Sequence, residues 1–155
     1  MCSSDLEWIR LTADPITDRN YSWDTTAFPS GLYRVKVVAT DRPSNSPDDA
    51  LSRERESLGF LVDHDPPHVG LAAQDRGASI TLTDDLTRIT KAEYAVDGGP
   101  WTPIFPDDGL FDSPRERIKL SLPDLAPGSH ILMVKATDAA GNVGTGDVLL
   151  SVGPR

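Results

Sequence analysis

In the second half of the chain, apolar residues alternate with polar ones over short runs, the period-two signature of strands with one face turned to a core. The runs span 68–73, 78–83, 91–96, 101–105, 117–122, 129–137 and 145–152, which predicts seven strands, enough for two packed sheets. The alternation assigns an inward set: Ile80 and Leu82; Tyr94 and Val96; Ile118, Leu120 and Leu122; Leu132, Val134 and Ala136; Val148, Leu150 and Val152. Gly98-Gly99 between the third and fourth runs predicts a tight hairpin, because positive φ costs glycine nothing. In the first half the pattern is sparser and predicts strands near 7–11, 21–24, 32–40 and 58–62. Between the last two lies a loop over 42–56. Ser46-Pro47-Asp48-Asp49 has the form of a helix start, so a short helical turn through 51–53 is expected there. The loop as a whole reads as a solvated, charge-balanced segment or as a binding loop at one end of the fold.

The two halves are related by an internal repeat. Gly31–Asn45 lies over Gly128–Asn142 without a gap, aligning Gly31 with Gly128, Ala39 with Ala136, Thr40 with Thr137, Asp41 with Asp138 and Asn45 with Asn142, a constant offset of 97. Upstream, Trp8 matches Trp101 at an offset of 93, so the second copy carries a few extra residues near Pro106–Pro114. Roughly 35 residues precede Trp101 in its copy and almost none precede Trp8. The expected organisation is therefore a first module at 7–63 that lacks its first three strands, a linker at 64–67, and a complete seven-stranded module at 68–153. Such a truncation should leave Tyr33, Val35, Val37 and Phe60 uncovered beside an open strand edge. Residues 1–6, Met-Cys-Ser-Ser-Asp-Leu, read as a foreign end, since the adapter sequence TGCTCTTCCGATCT encodes Cys-Ser-Ser-Asp-Leu in frame. Pro66-Pro67 predicts an extended, stiff connection.

Composition narrows the function classes. Thirteen prolines and twelve glycines among 155 residues, dispersed between short apolar runs, are the punctuation of an all-β chain. A net charge of −9 opposes binding to nucleic acid or anionic lipid, and no apolar run is long enough for a helix to cross a bilayer. Cys2 stands alone, so neither an internal disulfide nor a cysteine-based metal site can form.

Several segments together resemble a known group: Tyr21-Ser22-Trp23-Asp24-Thr25, Pro29-Ser30-Gly31-Leu32-Tyr33, Val37-Val38-Ala39-Thr40-Asp41, the Val62-Asp63-x-x-Pro66-Pro67 boundary, and Ala136–Asn142. They are similar to the Ig-like and fibronectin type III-like modules that occur in tandem, often C-terminal to β-propellers, in large secreted bacterial proteins. The resemblance implies an all-β fold of two tandem Ig-like antiparallel β-sandwiches, the first N-terminally truncated. It also implies an extracytoplasmic location and a non-enzymatic accessory role. One spacing departs from the type III pattern: Tyr33 and His130 follow Gly31 and Gly128 by two residues where three are usual, so a tyrosine-corner hydrogen bond is not called for.

Candidate chemistry is sparse. Asp41 and Asp138 each precede an asparagine by four residues, the pattern of an Asx-type turn at a strand end. With Asp63, Asp65, Asp84 and Asp85 nearby in sequence terms, calcium is the alternative, although no loop carries a full ligand pattern. His64, His68 and His130 are too scattered for zinc, no nucleophile elbow exists, and Asp107-Asp108 sits in a polar turn. The expectation is no catalytic residue, no cofactor and no metal ligand. Ile131, Met133 and Leu149 alternate against the inward set and should form an outward surface that packs on other domains of a parent protein. A structural spacer is the leading function. A protein- or glycan-binding module comes second and requires exposed aromatics among Trp8, Trp23 and Trp101, whose strand positions favour packing; a calcium-rigidified adhesin segment comes third.

Overall fold

The computed structural model describes residues 7–154, so the segment read as a foreign end lies outside the described residues. The chain is all-β, with eleven strands and no helix among the described residues. Strands β5 (His68–Gln74), β6 (Gly77–Thr83), β7 (Ile89–Val96), β8 (Thr102–Ile104), β9 (Arg115–Ser121), β10 (Gly128–Asp138) and β11 (Val143–Val152) follow the seven predicted runs to within about two residues at each end. They form a three-stranded sheet, β5-β6-β9, and a four-stranded sheet, β11-β10-β7-β8, with antiparallel pairing throughout. This is an Ig-like β-sandwich. Ile80, Leu82, Ile89, Leu132, Val134, Ala136 and Leu150 are fully buried between the sheets, with Tyr94, Val96, Leu120, Leu122 and Val148 packed at the margin. The inward set read from alternation lies in or against this core, to which Val69, Ala78, Ile89, Ala92 and Ile104 also contribute.

The hairpin between β7 and β8 differs in detail from the sequence reading. Its central residues are Asp97 and Gly98, with φ of 51° and 73°, closed by the Gly99 N–H donating to the Val96 carbonyl at 2.8 Å. Positive φ at both positions is the primed-turn geometry that suits twisted strands, and Asp-Gly meets it better than Gly-Gly because the aspartate also offers a side-chain acceptor.

The first half forms two small antiparallel sheets, β1 (Gly31–Tyr33) with β4 (Phe60–Val62) and β2 (Lys36–Thr40) with β3 (Ser52–Glu56). Residues 7–11 and 21–24 are not strands, and the expected helical turn at 51–53 is replaced by the start of β3. Ser46 does not cap a helix: its Oγ donates to Asp49 Oδ2 at 2.7 Å and its carbonyl accepts from the Asp49 N–H at 3.0 Å, so the segment closes as a single turn. Tyr33 and Phe60, expected to be uncovered, are sheltered by Trp23 and Phe28. Trp23 meets Phe28, Tyr33 and Phe60 edge-on at centroid separations of 4.8, 5.8 and 6.1 Å. Val37 is uncovered as expected, with 58% of its surface exposed.

Candidate functional site

The segment joining the two halves is where the repeat's polar residues converge. Val62 and Asp63 are buried, as is Pro67. Asp63 faces the second sandwich: its carbonyl accepts from Asn142 Nδ2 at 3.2 Å and its Oδ2 accepts from the Thr87 hydroxyl at 2.9 Å. His64 faces the first half, its N–H donating to Ser30 Oγ at 2.9 Å and its Nε2 lying 2.9 Å from the Thr25 carbonyl. Because that carbonyl can only accept, His64 Nε2 carries a proton. Pro67 then runs against β11 at Gly144, where a Cβ would stand 1.7 Å from the Pro67 carbonyl oxygen. Gly146, two residues on and on the same inward face, admits the Val69 carbonyl in the same way. Two glycines in a long strand thus mark the line along which the connection and β5 cross it.

Asp138, only 2% exposed, anchors this junction from β10. Its Oδ1 and Oδ2 accept from the Asn142 N–H and Nδ2, both at 2.8 Å, the Asx-type turn predicted from the sequence. Asp84 accepts from the Leu86 and Thr87 N–H groups at 2.9 and 2.6 Å. The carboxylates of Asp63, Asp84 and Asp138 bring one oxygen each within 4.8 Å of one another. Hard oxygen donors at that spacing are the chemistry of divalent cations. Here they are also met by hydroxyl, amide and backbone donors, which is how a protein holds buried carboxylates without an ion. Asp65 and Asp85 are exposed and lie outside this group, and Asp41 occupies the matching turn of the first copy, where its Oδ1 accepts from the Leu51 N–H at 2.7 Å. Asp108 accepts the Leu110 N–H within its own turn, and Asp107 accepts the Lys119 N–H from β9.

A second feature repeats between the copies. The Tyr33 hydroxyl donates to the Pro29 carbonyl at 2.6 Å, and His130 Nε2 lies 3.0 Å from the Ala126 carbonyl, the same bond four residues back in each copy. The corner bond therefore forms despite the shortened spacing. His130 Nδ1 also lies 2.6 Å from Asp97 Oδ2. Both ring nitrogens face groups that only accept, so the imidazolium satisfies this site. The Asp97 hydrogen bond, then the Ala126 carbonyl, raise the His130 pKa above its ordinary 6.5, while the same histidine lowers that of Asp97. A raised folded pKa means the stabilisation is complete below 6.5 and disappears as pH rises through the folded value. His130→Tyr keeps a partner for Ala126 and removes the titration. The difference in thermal midpoint between wild type and H130Y should therefore shift against wild type on going from pH 6 to about pH 8.5, followed by circular dichroism. A difference that is constant with pH would show that the pair does not form.

On the outer face of the four-stranded sheet, Ile131 and Leu149 stand directly opposite each other, 50% and 59% exposed, with Met133 half-buried beside them. Trp101 lies on the same sheet under Lys135 Nζ, 4.3 Å from its ring centroid, and Trp8 lies under Lys36 Nζ at 4.6 Å. Trp8 and Trp101 are thus exposed cation–π partners in both copies, contrary to the packing expected of them, whereas Trp23 is packed in the aromatic nucleus.

No protein-family model matches the chain, and no curated protein matches it. Among solved structures, it is similar to the fibronectin(III)-like modules of CbhA from Clostridium thermocellum, at 20% identity and a TM-score of 0.39. That match covers 80% of this chain and 63% of the other, so the chain spans less than two thirds of that structure's length.

Proposed function

We propose that this chain is a non-catalytic structural unit of a larger extracytoplasmic protein, acting as a spacer of fixed geometry. The observation that carries this reading is the two-sided anchoring of residues 62–67, through Asp63 to Asn142 and Thr87 on one side and through His64 to Ser30 and Thr25 on the other. A connection whose backbone and side chains are bonded to both neighbours transmits orientation; a flexible tether would leave them to water. In this reading the Ile131–Leu149 face packs on other domains of the same protein. The paired lysine–tryptophan surfaces support protein or glycan binding as the second reading, because exposed indole faces are what such ligands contact.

Spin labels on E54C and S151C, in a C2S background, measure the geometry directly. The expected result is one narrow distance distribution, unchanged by calcium. A broad distribution would overturn the spacer reading. Narrowing on calcium addition that Asp138→Asn abolishes would replace the hydrogen-bonded junction by a cation-stiffened one.

A further inference from the structure

The first copy of the repeat presents a strand edge that its counterpart keeps covered. In the second copy β10 is central, with β11 on one side and β7 on the other. The same stretch of the first copy, β2, pairs with β3 alone, and no strand among the described residues occupies the place of β7. Val134 is fully buried between its strand neighbours and the facing β5-β6-β9 sheet, while its repeat equivalent Val37 is 58% exposed.

We propose that the free edge of β2 accepts one extended polypeptide strand, running antiparallel and carrying an apolar residue at every second position. Main-chain hydrogen bonds supply the affinity in this mode, and the alternate side chains supply the selection. The repeat fixes the register. In the second copy Leu132, Val134 and Ala136 face Val96, Tyr94 and Ala92, so Val35, Val37 and Ala39 face residues of that type in the incoming strand. On the other face Lys36 and Val38 take the places of Met133 and Lys135. A carboxylate at the Glu93 position then sits opposite Val38 and diagonal to Lys36, whereas Glu93 itself lies directly opposite Lys135, which it meets at 3.1 Å.

A second copy of this chain fits the edge poorly. Antiparallel self-pairing of β2 centred on Val38 sets Arg34 opposite Arg42, and centring on Ala39 sets Lys36 opposite Arg42. Centring on Val37 brings the two Lys36 side chains onto one diagonal. Each register places like charges side by side, which destabilises a strand pair.

The test uses the full chain, ¹⁵N-labelled, and an N-acetylated synthetic peptide of residues 88–97. At saturating peptide, the amides within 35–41 that point away from β3 should exchange about tenfold more slowly, with β10 unaffected. The same peptide carrying Glu93→Pro and Ala95→Pro should give no protection. Val37→Lys, made where the side chain is already exposed and so leaving the free chain folded, should lose the protection. No slowing at saturation, or equal slowing by the proline peptide, would overturn the proposal. So would protection in the chain alone that grows with protein concentration. None of these outcomes bears on the anchored connection, so the spacer reading stands or falls separately.

Discussion

Gly144→Ala is expected to lower the stability of the second sandwich by about 3 kcal/mol, a fall in thermal midpoint on the order of 10–20 °C. The added methyl would meet the Pro67 carbonyl oxygen at 1.7 Å and its carbon at 2.8 Å. Backbone atoms cannot rotate aside, and Gly144 is fixed opposite Ala136 in the β10–β11 ladder. The strain must therefore move the connection. Once Pro67 lifts from β11, Asp63 loses its alignment with Asn142, so the second consequence is loss of the anchored geometry between the halves. Thermal unfolding measures the first effect, and the distance between labels at Glu54 and Ser151 measures the second. Gly153→Ala is the control, because a Cβ there meets nothing within 4 Å. A Gly144→Ala variant within ~0.5 kcal/mol of wild type would show that Pro67 does not pack where the structure places it.

That contact is one of the features the sequence could not show. The seven strands of the second half were legible because each turns one face to a common core, so burial is written into the residues at period two. β3 was not legible for the opposite reason. Its sequence, Ser-Arg-Glu-Arg-Glu, is polar at every position and fully exposed, because β3 is an edge strand that buries neither face. What holds it is the ladder to β2 and the 3.4 Å ion pair between Lys36 and Glu54. The single predicted strand over 32–40 divides near Arg34-Val35. There the chain leaves β4 for β3, and Ser57 bonds the Val35 backbone on both sides, its Oγ accepting the Val35 N–H at 2.9 Å and its N–H donating to the Val35 carbonyl at 2.8 Å. No local pattern announces a change of partner. The turns at Asp41 and Asp138 were legible from the repeat, whereas the convergence of Asp63, Asp84 and Thr87 on Asp138 depends on how the connection folds back, which is tertiary. The positive φ of Asp97 and the His130 bond to it were hidden for the same reason.

The repeat itself provides the comparison that tests the junction. Asp138 and Asp41 are the same position in two copies, but Asp138 is buried and holds both Asn142 donors, while Asp41 lies in a half-exposed loop with one side-chain bond, to the Leu51 N–H. Asp138→Ala leaves the Asn142 N–H and one amide proton without their partner inside a buried site. The expected cost is about 3 kcal/mol, against about 1 kcal/mol or less for Asp41→Ala. A competing effect works the other way, because removing one of three neighbouring carboxylates relieves repulsion among them. Asp138→Asn separates the two. The amide keeps the shape and one acceptor while discarding the charge, and its NH₂ can donate to Asp63 or Asp84. If the bonds to Asn142 dominate, denaturant unfolding should rank wild type and Asp138→Asn close together with Asp138→Ala far below. An Asp138→Asn variant more stable than wild type would show that charge repulsion governs the junction. Equal costs for Asp138→Ala and Asp41→Ala would show that the second copy's turn is no more buried than the first's.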